Sequence, residues 1–223
     1  MFEYSLSRSK RKTVALYVRN GMVEVRAPLK MPKDVIDRFV ESKEKWIADK
    51  LEITNERAAL RNSFFLDYGS NVLYRGNLHV IEAREGDFCG FDEGRFYMPP
   101  NLSSQRIKEA SIQIYRMLAK RDLLNRTFEF AEKMSVMPAS VKITNAKSRW
   151  GSCSGKKNVC FSWRLIMAED CLIDYIIVHE LAHLIELNHS ERFWKIVFDA
   201  VPDYKERQAK LKLLHEKLII EDW

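Results

Sequence analysis

The chain has 223 residues, of which 46% are hydrophobic and 30% are charged, and its formal net charge is +6. This length supports one large domain or two smaller ones, and the chain contains no run of about eighteen apolar residues that could span a membrane. The N-terminus has no apolar region of the secretory type and the four cysteines are not spaced as CxxC, so we expect a cytoplasmic protein with free thiols and no membrane partner.

The first thirty residues predict a basic β-hairpin. Alternating apolar and polar residues flank Asn20-Gly21, a dipeptide typical of tight hairpin turns. Seven Lys or Arg and two Glu lie in residues 1–30, so this segment carries +5 of the net charge. Its basic residues, between positions 8 and 30, could attract nucleic acid, although no aromatic platform or known DNA-binding motif accompanies them. A solvated strand face is the simpler interpretation, and nucleic-acid binding is kept as an alternative that we do not favour.

The next segments predict one helix and then more strands. Residues 32–62 show helical spacing of apolar side chains and begin at a proline, which the first turn of a helix tolerates. Residues 65–98 return to short alternating runs, which are typical of strands, and Pro99-Pro100 ends them. We therefore predict a β-rich N-terminal region with one helix over residues 1–103.

The second half of the chain predicts helices around a small sheet. Helical periodicity is present over four segments, about 104–134, 170–187, 190–200 and 203–219. Two short runs, at 140–146 and 158–163, predict strands. Asp170 and Ser190 stand where a side chain can cap the start of a helix. Strands followed by helices favour an α+β fold, with a second domain over residues 104–223.

The segment VHELAHLIELNHSERFW (178–194) contains three of the five histidines. His179 and His183 are four residues apart, so a helix places both imidazoles on one face, about 6 Å apart along its axis. Two imidazoles at this spacing can bind one zinc ion. Glu180 follows the first histidine and can act as general base toward a water that the metal activates, which is the arrangement of H-E-x-x-H zinc hydrolases.

A third ligand is predicted beyond the end of this helix. His189 would lie about 240° around a continuous helix from His183, so the chain has to leave the helix first. Asn188 tolerates the left-handed conformation that ends many helices and would allow this. Glu186 is the competing third ligand. A carboxylate so close along the helix, however, would more easily contact one of the metal-binding histidines than the metal itself. We therefore favour His189.

The alternative is a core helix that contains histidines by chance. The residues around the pair are apolar on nearly every side, which is typical of a buried helix. Such a helix would also bury Glu180 without a cationic partner in the neighbouring turns, and burying a lone carboxylate is unfavourable. A metal ion and a solvent-filled cleft remove this difficulty. His79 and His215, far from the motif along the chain, are expected to be structural or solvated.

Three motifs carry a family resemblance: SRWGSCS (148–154), IDYIIVHELAHL (173–184) and NHSERFW (188–194). With them the chain resembles the YgjP-like family of zinc metallopeptidases, which is related to SprT- and WLM-type zincins. The N-terminal segments RKTVALYVRNGMVEVRAP and EKWIADKL are also similar, so the resemblance covers most of the chain. It implies a minimal zincin-like helical catalytic core with a small sheet.

The resemblance also implies roles for individual residues. Zinc would be held by His179, His183 and His189, with Glu180 as the general base. The RWGSC segment would lie beside the site, and its candidate substrate-binding residues are Arg149, Trp150, Gly151 and Ser152. The tryptophan is as well explained as a core residue, the glycine as a close approach of the backbone, and the serine could donate to an oxyanion. Metzincins carry Gly where this chain has Glu186, and no methionine turn is evident after the helix, so we do not place the chain among them.

The sequence therefore predicts a zinc-dependent hydrolase, with manganese or nickel left open because imidazole accepts several metals. A metallopeptidase-like enzyme is favoured, and NVCFSW (158–163) is the candidate sheet edge to which a peptide would add as a strand. The resemblance leaves open a nucleoside triphosphate (UTP-type) pyrophosphatase on the same metal site, an activity that has been assigned to YgjP-like proteins. A zinc-stabilised nucleic-acid-binding module is a further alternative.

Overall fold

The computed structural model describes residues 2–19 and 21–223, and it contains two compact units, Met1–Phe64 and Phe65–Trp223. The predicted turn residue Asn20 lies outside the described residues. The predicted domain boundary between residues 103 and 104 falls inside the second unit and stays a prediction. Among the helices that the structure describes, none is long and apolar enough to cross a membrane.

The described residues of the first unit form three strands and two helices. They are β1 (Tyr4–Ser9), β2 (Ala15–Arg19), β3 (Met22–Pro28), α1 (Lys33–Glu41) and α2 (Glu44–Ser63). β3 is the central strand, antiparallel to β2 and parallel to β1. The two predicted hairpin strands are confirmed, whereas β1 was not predicted. The single helix predicted over 32–62 is wrong in one respect, because the chain forms two helices with a break at residues 42 and 43.

Alternation along β3 builds the core of this unit. Val23, Val25 and Ala27 point inward and pack against Ile36 and Val40, which are one turn apart on α1. An inward side chain at every second strand residue and every fourth helix residue is the pattern expected of a sheet covered by a helix.

Several predicted arm cations are engaged within the first unit. Arg8 donates hydrogen bonds to the carbonyls of Pro28, Leu29 and Met31. Arg26 pairs with Glu24 at 2.7 Å. These contacts hold the strands and their flanking loop, and a nucleic-acid-binding role for residues 8–30 stays a prediction.

The second unit contains two sheets, five α-helix and 3-10 segments, and the HExxH motif. Its strands are β4 (Asn71–Tyr74), β5 (Asn77–Ala83), β6 (Gly90–Asp92), β7 (Arg95–Met98), β8 (Ser140–Thr144), β9 (Gly151–Cys153) and β10 (Asn158–Ser162). Its helices are α3 (Ser104–Lys133), a 3-10 helix (Trp163–Met167), α4 (Asp170–Ala182), α5 (Glu191–Ala200) and α6 (Tyr204–Ile220). Strands and helices are segregated along much of the chain and the sheets are mixed, so the predicted α+β class is confirmed.

The sheet beside the motif has the strand order β8-β10-β9. β10 is parallel to β8 and antiparallel to β9, so both of its edges are already paired. The prediction that NVCFSW forms the free edge is therefore wrong. The strand at the edge next to α4 is β9, a three-residue strand that the sequence pattern was too short to indicate.

A bidentate ion pair fixes the start of α4. Arg75 donates to both carboxylate oxygens of Asp170, at 2.7 and 2.6 Å. The prediction that Asp170 caps the helix is wrong, because Glu169 is the capping residue and makes no side-chain cap hydrogen bond. Asp170 instead joins the β4–β5 hairpin to the first turn of α4, and the Arg75 guanidinium lowers the pKa of that carboxyl.

Candidate metal centre

The helix α4 carries the first half of the motif. Its side chains are buried on almost every side, as the apolar sequence predicts, and it presents His179 and Glu180 from its last turn. The helix ends at Ala182, five residues before the predicted end, and His183 is its C-cap. Hydrogen bonds from the amides of residues 184, 185 and 186 continue the turn irregularly. Asn188 does not adopt the positive φ that we predicted, because the helix has already ended upstream of it.

The turn after α4 returns the chain to the histidine pair. Ser190 caps α5 by accepting a hydrogen bond from the Phe193 amide at 3.3 Å, as predicted. His189 immediately precedes this cap, and its Nε2 lies 3.1 Å from the Nε2 of His179. One nitrogen from each of the three histidines lies within 4.8 Å of the others. The structure therefore gathers the predicted three-histidine cluster.

Aromatic side chains of α5 support two of the imidazoles. Phe193 stacks on His183, with ring centroids 4.5 Å apart and an angle of 30° between the planes. Trp194 stacks on His189 at 5.6 Å and 24°. The Tyr204 ring stacks in turn on Trp194 at 5.1 Å and 18°. These contacts restrict the imidazole rings of His183 and His189. The sequence alone did not indicate this role for the aromatic residues of NHSERFW.

The donor set suits a metal ion such as zinc. Two ligands bound at 2.0–2.1 Å to a tetrahedral centre lie about 3.3 Å apart, close to the 3.1 Å between the two Nε2 atoms. The His183 Nδ1 lies 3.1 Å from the Glu186 carbonyl oxygen, to which it can donate, leaving Nε2 unprotonated for a metal. Burial, and then the neighbouring His183 and His189, lower the pKa of His179 to about 4, so its imidazole stays neutral, which is the form that binds metals.

Glu186 was the competing third ligand. Among the described residues, the cluster of metal-binding atoms contains His189 and not the Glu186 carboxylate. Glu186 contributes its main-chain carbonyl to His183 instead. The structure thus gives this residue a supporting contact and leaves His189 as the better-placed third ligand.

Glu180 lies beside the cluster in a nearly closed environment. The residue is 5% exposed, and burial raises the pKa of its carboxyl to about 8, an effect that the positive charge of Arg149 partly opposes. Gly151 approaches it so closely that a Cβ there would lie 2.6 Å from the Glu180 Cγ and Oε1. The backbone at Gly151 thus approaches the Glu180 side chain closely, as predicted. The Glu180 carboxylate fits there because residue 151 has no side chain.

A cleft of about 340 Å³ opens next to Glu180 and His179. Three of the four predicted substrate-binding residues line it, and they are Arg149, Trp150 and Gly151. Ser152 does not line it, since alternation along β9 directs its side chain to the opposite face from Gly151, where it pairs with Cys160. The proposed oxyanion role of Ser152 stays a prediction.

The helix α6, which lies far from the motif along the chain, forms a second wall of this cleft. The sequence alone did not indicate this wall. Its lining residues on α6 are Gln208, Leu211, Lys212 and His215. His215 had been expected to be structural or solvated, yet its ring contacts Trp150 edge-on at 5.6 Å. Residues so far along the chain could be assigned to the site only by knowing how α6 packs on α4. The spacing of positions 208, 211, 212 and 215 marks one helix face, but not which neighbour that face contacts.

Tyr175 lines the same cleft one helical turn before His179. The residue is 3% exposed, and within the described part of the chain its hydroxyl has no hydrogen-bond partner. Burial, with smaller contributions from Tyr204 and Glu180, raises its pKa to about 12. The hydroxyl therefore remains protonated at neutral pH and available as a donor.

Comparison with known protein families shows the family to which the chain belongs. The family model described as YgjP-like, metallopeptidase domain matches residues 12–213. The chain belongs to this family. Membership of the YgjP-like metallopeptidase family implies a metal-dependent hydrolase, and the three-histidine cluster could bind the metal.

Two solved structures are similar to part of the chain. They are the metallopeptidase zymogens abylysin of Pyrococcus abyssi and jannalysin of Methanocaldococcus jannaschii, each 23% identical. The match to abylysin covers 40% of this chain and 90% of that one, with a TM-score of 0.37. The match to jannalysin covers 41% and 97%, with a TM-score of 0.36. No curated protein matches the chain significantly.

Proposed function

We propose that this YgjP-like protein is a zinc-dependent metallopeptidase whose zinc ligands are His179, His183 and His189. The observation that carries the proposal is the convergence of three imidazole nitrogens within 4.8 Å, next to a buried carboxylate that the motif places for base catalysis. Family membership supports the metallopeptidase class. Imidazole ligands favour zinc over magnesium or calcium, which prefer oxygen ligands.

The residues around the histidine cluster then have defined roles. When bound, zinc supplies a Lewis acid that polarises the scissile carbonyl and lowers the pKa of the attacking water. The positive charge of a bound zinc ion would favour the ionised form of Glu180. The carboxylate would then accept the proton of that water and transfer it to the leaving nitrogen. Gly151 leaves the space in which the Glu180 carboxylate lies. Phe193 and Trp194 restrict the imidazoles of His183 and His189.

The free edge of β9 supports a peptide as substrate. This edge strand belongs to the segment that lines the cleft beside Glu180, and it pairs only with β10. An extended peptide can hydrogen-bond to such an edge as an added strand. In this proposal β9 replaces NVCFSW as the strand that receives the substrate.

The proposal is tested by metal analysis and by hydrolysis assays. We expect about one zinc per wild-type chain, clearly less in His189→Ala, and an unchanged content in His79→Ala, whose imidazole lies outside the cluster. We expect wild-type protein with zinc to cleave members of a peptide library, and Glu180→Gln to lose at least 100-fold in rate because the general base is removed.

The same assays separate the alternatives. Hydrolysis of UTP, but not of peptides, with the same loss in Glu180→Gln would assign the site to nucleotide pyrophosphatase activity. Steeply salt-dependent nucleic-acid binding that Glu180→Gln leaves unchanged, without any hydrolysis, would favour the zinc-stabilised binding module. Absence of bound metal after zinc is supplied would contradict all three.

A further inference from the structure

The cleft beside Glu180 is lined by cationic donors that the fold leaves without acceptors. Arg149 precedes β9 and Lys212 lies on α6, so two separate elements bring them to one cavity. Within the described residues, neither side chain forms a hydrogen bond or an ion pair. Elsewhere on the same helix the pattern differs, since Lys210 lies 3.8 Å from a carboxylate oxygen of Glu169. The two cleft cations are therefore available to a ligand.

A tyrosine hydroxyl in the same cleft also has no hydrogen-bond partner among the described residues. Tyr175 is 3% exposed, lines the cavity, and finds no acceptor among the described residues. The Tyr175 oxygen is not among the fully buried atoms that lack a partner, so the hydroxyl reaches the solvent of the cavity and can donate a hydrogen bond to a ligand that enters there. An oxygen acceptor of the ligand satisfies this hydroxyl.

The remaining lining restricts the size and charge of that ligand. Trp150, Ile176 and Leu211 give the cleft an apolar wall, and Glu180 is the only acidic residue among the described residues that line it. Two cations and one hydroxyl match a single carboxylate, which accepts several hydrogen bonds, attached to an apolar group. A triphosphate carries more negative charge than these two side chains balance.

We propose that this cleft is a substrate subsite that binds a carboxylate-bearing residue of a peptide, through Arg149, Lys212 and Tyr175. The inference rests on the proposed peptidase function and specifies its substrate class. The carboxylate belongs either to an acidic side chain or to the C-terminus of the peptide, two sources with the same chemistry. Trp150, Ile176 and Leu211 contact the apolar part of that residue.

The binding test uses metal-free protein, so that the carboxylate cannot simply coordinate zinc and no catalysis is needed. The probes, titrated by NMR, are N-acetyl-leucine for a terminal carboxylate, N-acetylglutamate α-amide for a side-chain carboxylate, and N-acetylglutamine α-amide as the neutral control. We expect one carboxylate to bind at least tenfold more tightly than the neutral amide, and the tighter of the two identifies the source. Equal binding of all three probes, or binding of none, would overturn the proposal.

Substitutions locate the binding to this cleft. We expect Arg149→Gln and Lys212→Met each to weaken carboxylate binding roughly tenfold, since each removes a charge-assisted hydrogen bond. Lys210→Met, which removes a charge from the same helix outside the cleft, should leave it unchanged. Tyr175→Phe should weaken binding several-fold without lowering the unfolding temperature, because the hydroxyl makes no contact in the free protein. A lower unfolding temperature with unchanged binding would show that Tyr175 is structural.

Cleavage specificity provides the second measurement. In a peptide library, wild-type enzyme should prefer an acidic residue, or a free chain end, adjacent to the cleaved bond, and Lys212→Glu should reverse the preference toward basic residues. A preference that Lys212→Glu leaves intact would contradict the subsite. If no peptide is cleaved at all, the proposed function fails, while the binding test on metal-free protein still decides the inference.

Discussion

Glu180 combines two properties that conflict in most protein interiors: it is a carboxyl group, and it is almost fully buried. Apolar neighbours on α4 and the close backbone of β9 enclose it, and burial raises its pKa. Such an environment is unfavourable for a charge but is common where a carboxyl group transfers protons. Under the proposed function, the site gives up stability at this residue for proton transfer, and the position of the side chain depends on what surrounds it.

Gly151→Ala tests how strictly the backbone positions this carboxylate. The added Cβ would lie 2.6 Å from Glu180 Cγ, so the side chain has to move while the histidines stay in place. We expect hydrolysis to fall at least about tenfold with zinc content unchanged, because a misplaced catalytic group lowers rate without removing the metal. The measurement is peptide hydrolysis beside metal analysis.

Gly155→Ala is the matched control for that substitution. A Cβ at Gly155 meets no atom within 4 Å, so activity and stability should stay close to wild type. Full activity in Gly151→Ala would show that Glu180 adapts freely, and the glycine would then have no role in positioning the base.

At the scale of elements, the ion pair between Arg75 and Asp170 links a β-hairpin to the start of α4, the helix that carries His179 and Glu180. The pair is bidentate, although its side chains remain 39% and 45% exposed. Partial exposure limits its contribution to about 1 kcal/mol. Its effect is to fix where α4 begins, and hence where His179 lies about two and a half turns later.

Asp170→Asn should reveal the contribution of this ion pair as a change in how the free energy of unfolding depends on pH. Arg75 lowers the pKa of Asp170 in the folded protein, so the pair stabilises the fold at pH values above the unfolded pKa of about 3.9. The stabilisation is lost as pH falls through the lower, folded-state pKa. We expect the variant to be less stable than wild type by up to about 1 kcal/mol at pH 7, with the difference shrinking below pH 4.

Denaturant unfolding at pH 7 and pH 3 measures this difference. Asp199→Asn is the control, because its ion pair with Lys195 lies within one exposed helix and should contribute only a few tenths of a kcal/mol. A difference between Asp170→Asn and wild type that is the same at both pH values would exclude the ion pair as its cause.

The sequence predicted elements well where periodicity is long and poorly where structure depends on distant partners. The helices α3, α5 and α6 begin and end within about two residues of their predicted limits. β9 was missed because three residues cannot show alternation. The sequence does not indicate the early end of α4, because the apolar pattern continues into residues 184 and 185, which form hydrogen-bonded turns instead of α-helix.

The same distinction applies to the site. The three histidines and Glu180 share one short motif, so local geometry was sufficient to predict that they meet. Lys212 and His215 reach the cleft only because α6 packs against α4, a contact that no local pattern specifies. Sequence spacing thus predicted that the three histidines converge, and tertiary packing determined the shape of the cleft beside them.

At the scale of the whole molecule, every residue assigned to the site belongs to the unit Phe65–Trp223. A metal that binds only the folded form stabilises it by mass action, by about 2.7 kcal/mol when its concentration is 100 times the dissociation constant. We expect zinc to raise the unfolding temperature of the wild-type protein, because its ligands converge only in the folded unit.

Thermal unfolding with zinc, with magnesium and with a chelator measures this effect. Magnesium should give no shift, since it prefers oxygen ligands, and His189→Ala should reduce the shift that zinc gives. Equal stabilisation by both metals would indicate general ionic effects rather than binding at the three histidines.

The stacking of Trp194 on His189 offers a fluorescence signal for ion binding. An indole in contact with an imidazole changes its emission when the electronic state of that imidazole changes, as it does on binding a cation. Trp194 is therefore an intrinsic fluorophore placed against the proposed third ligand, His189. Loading and loss of the ion can be followed in real time by tryptophan emission, without labels, and Trp194→Phe supplies the background from the other four tryptophans.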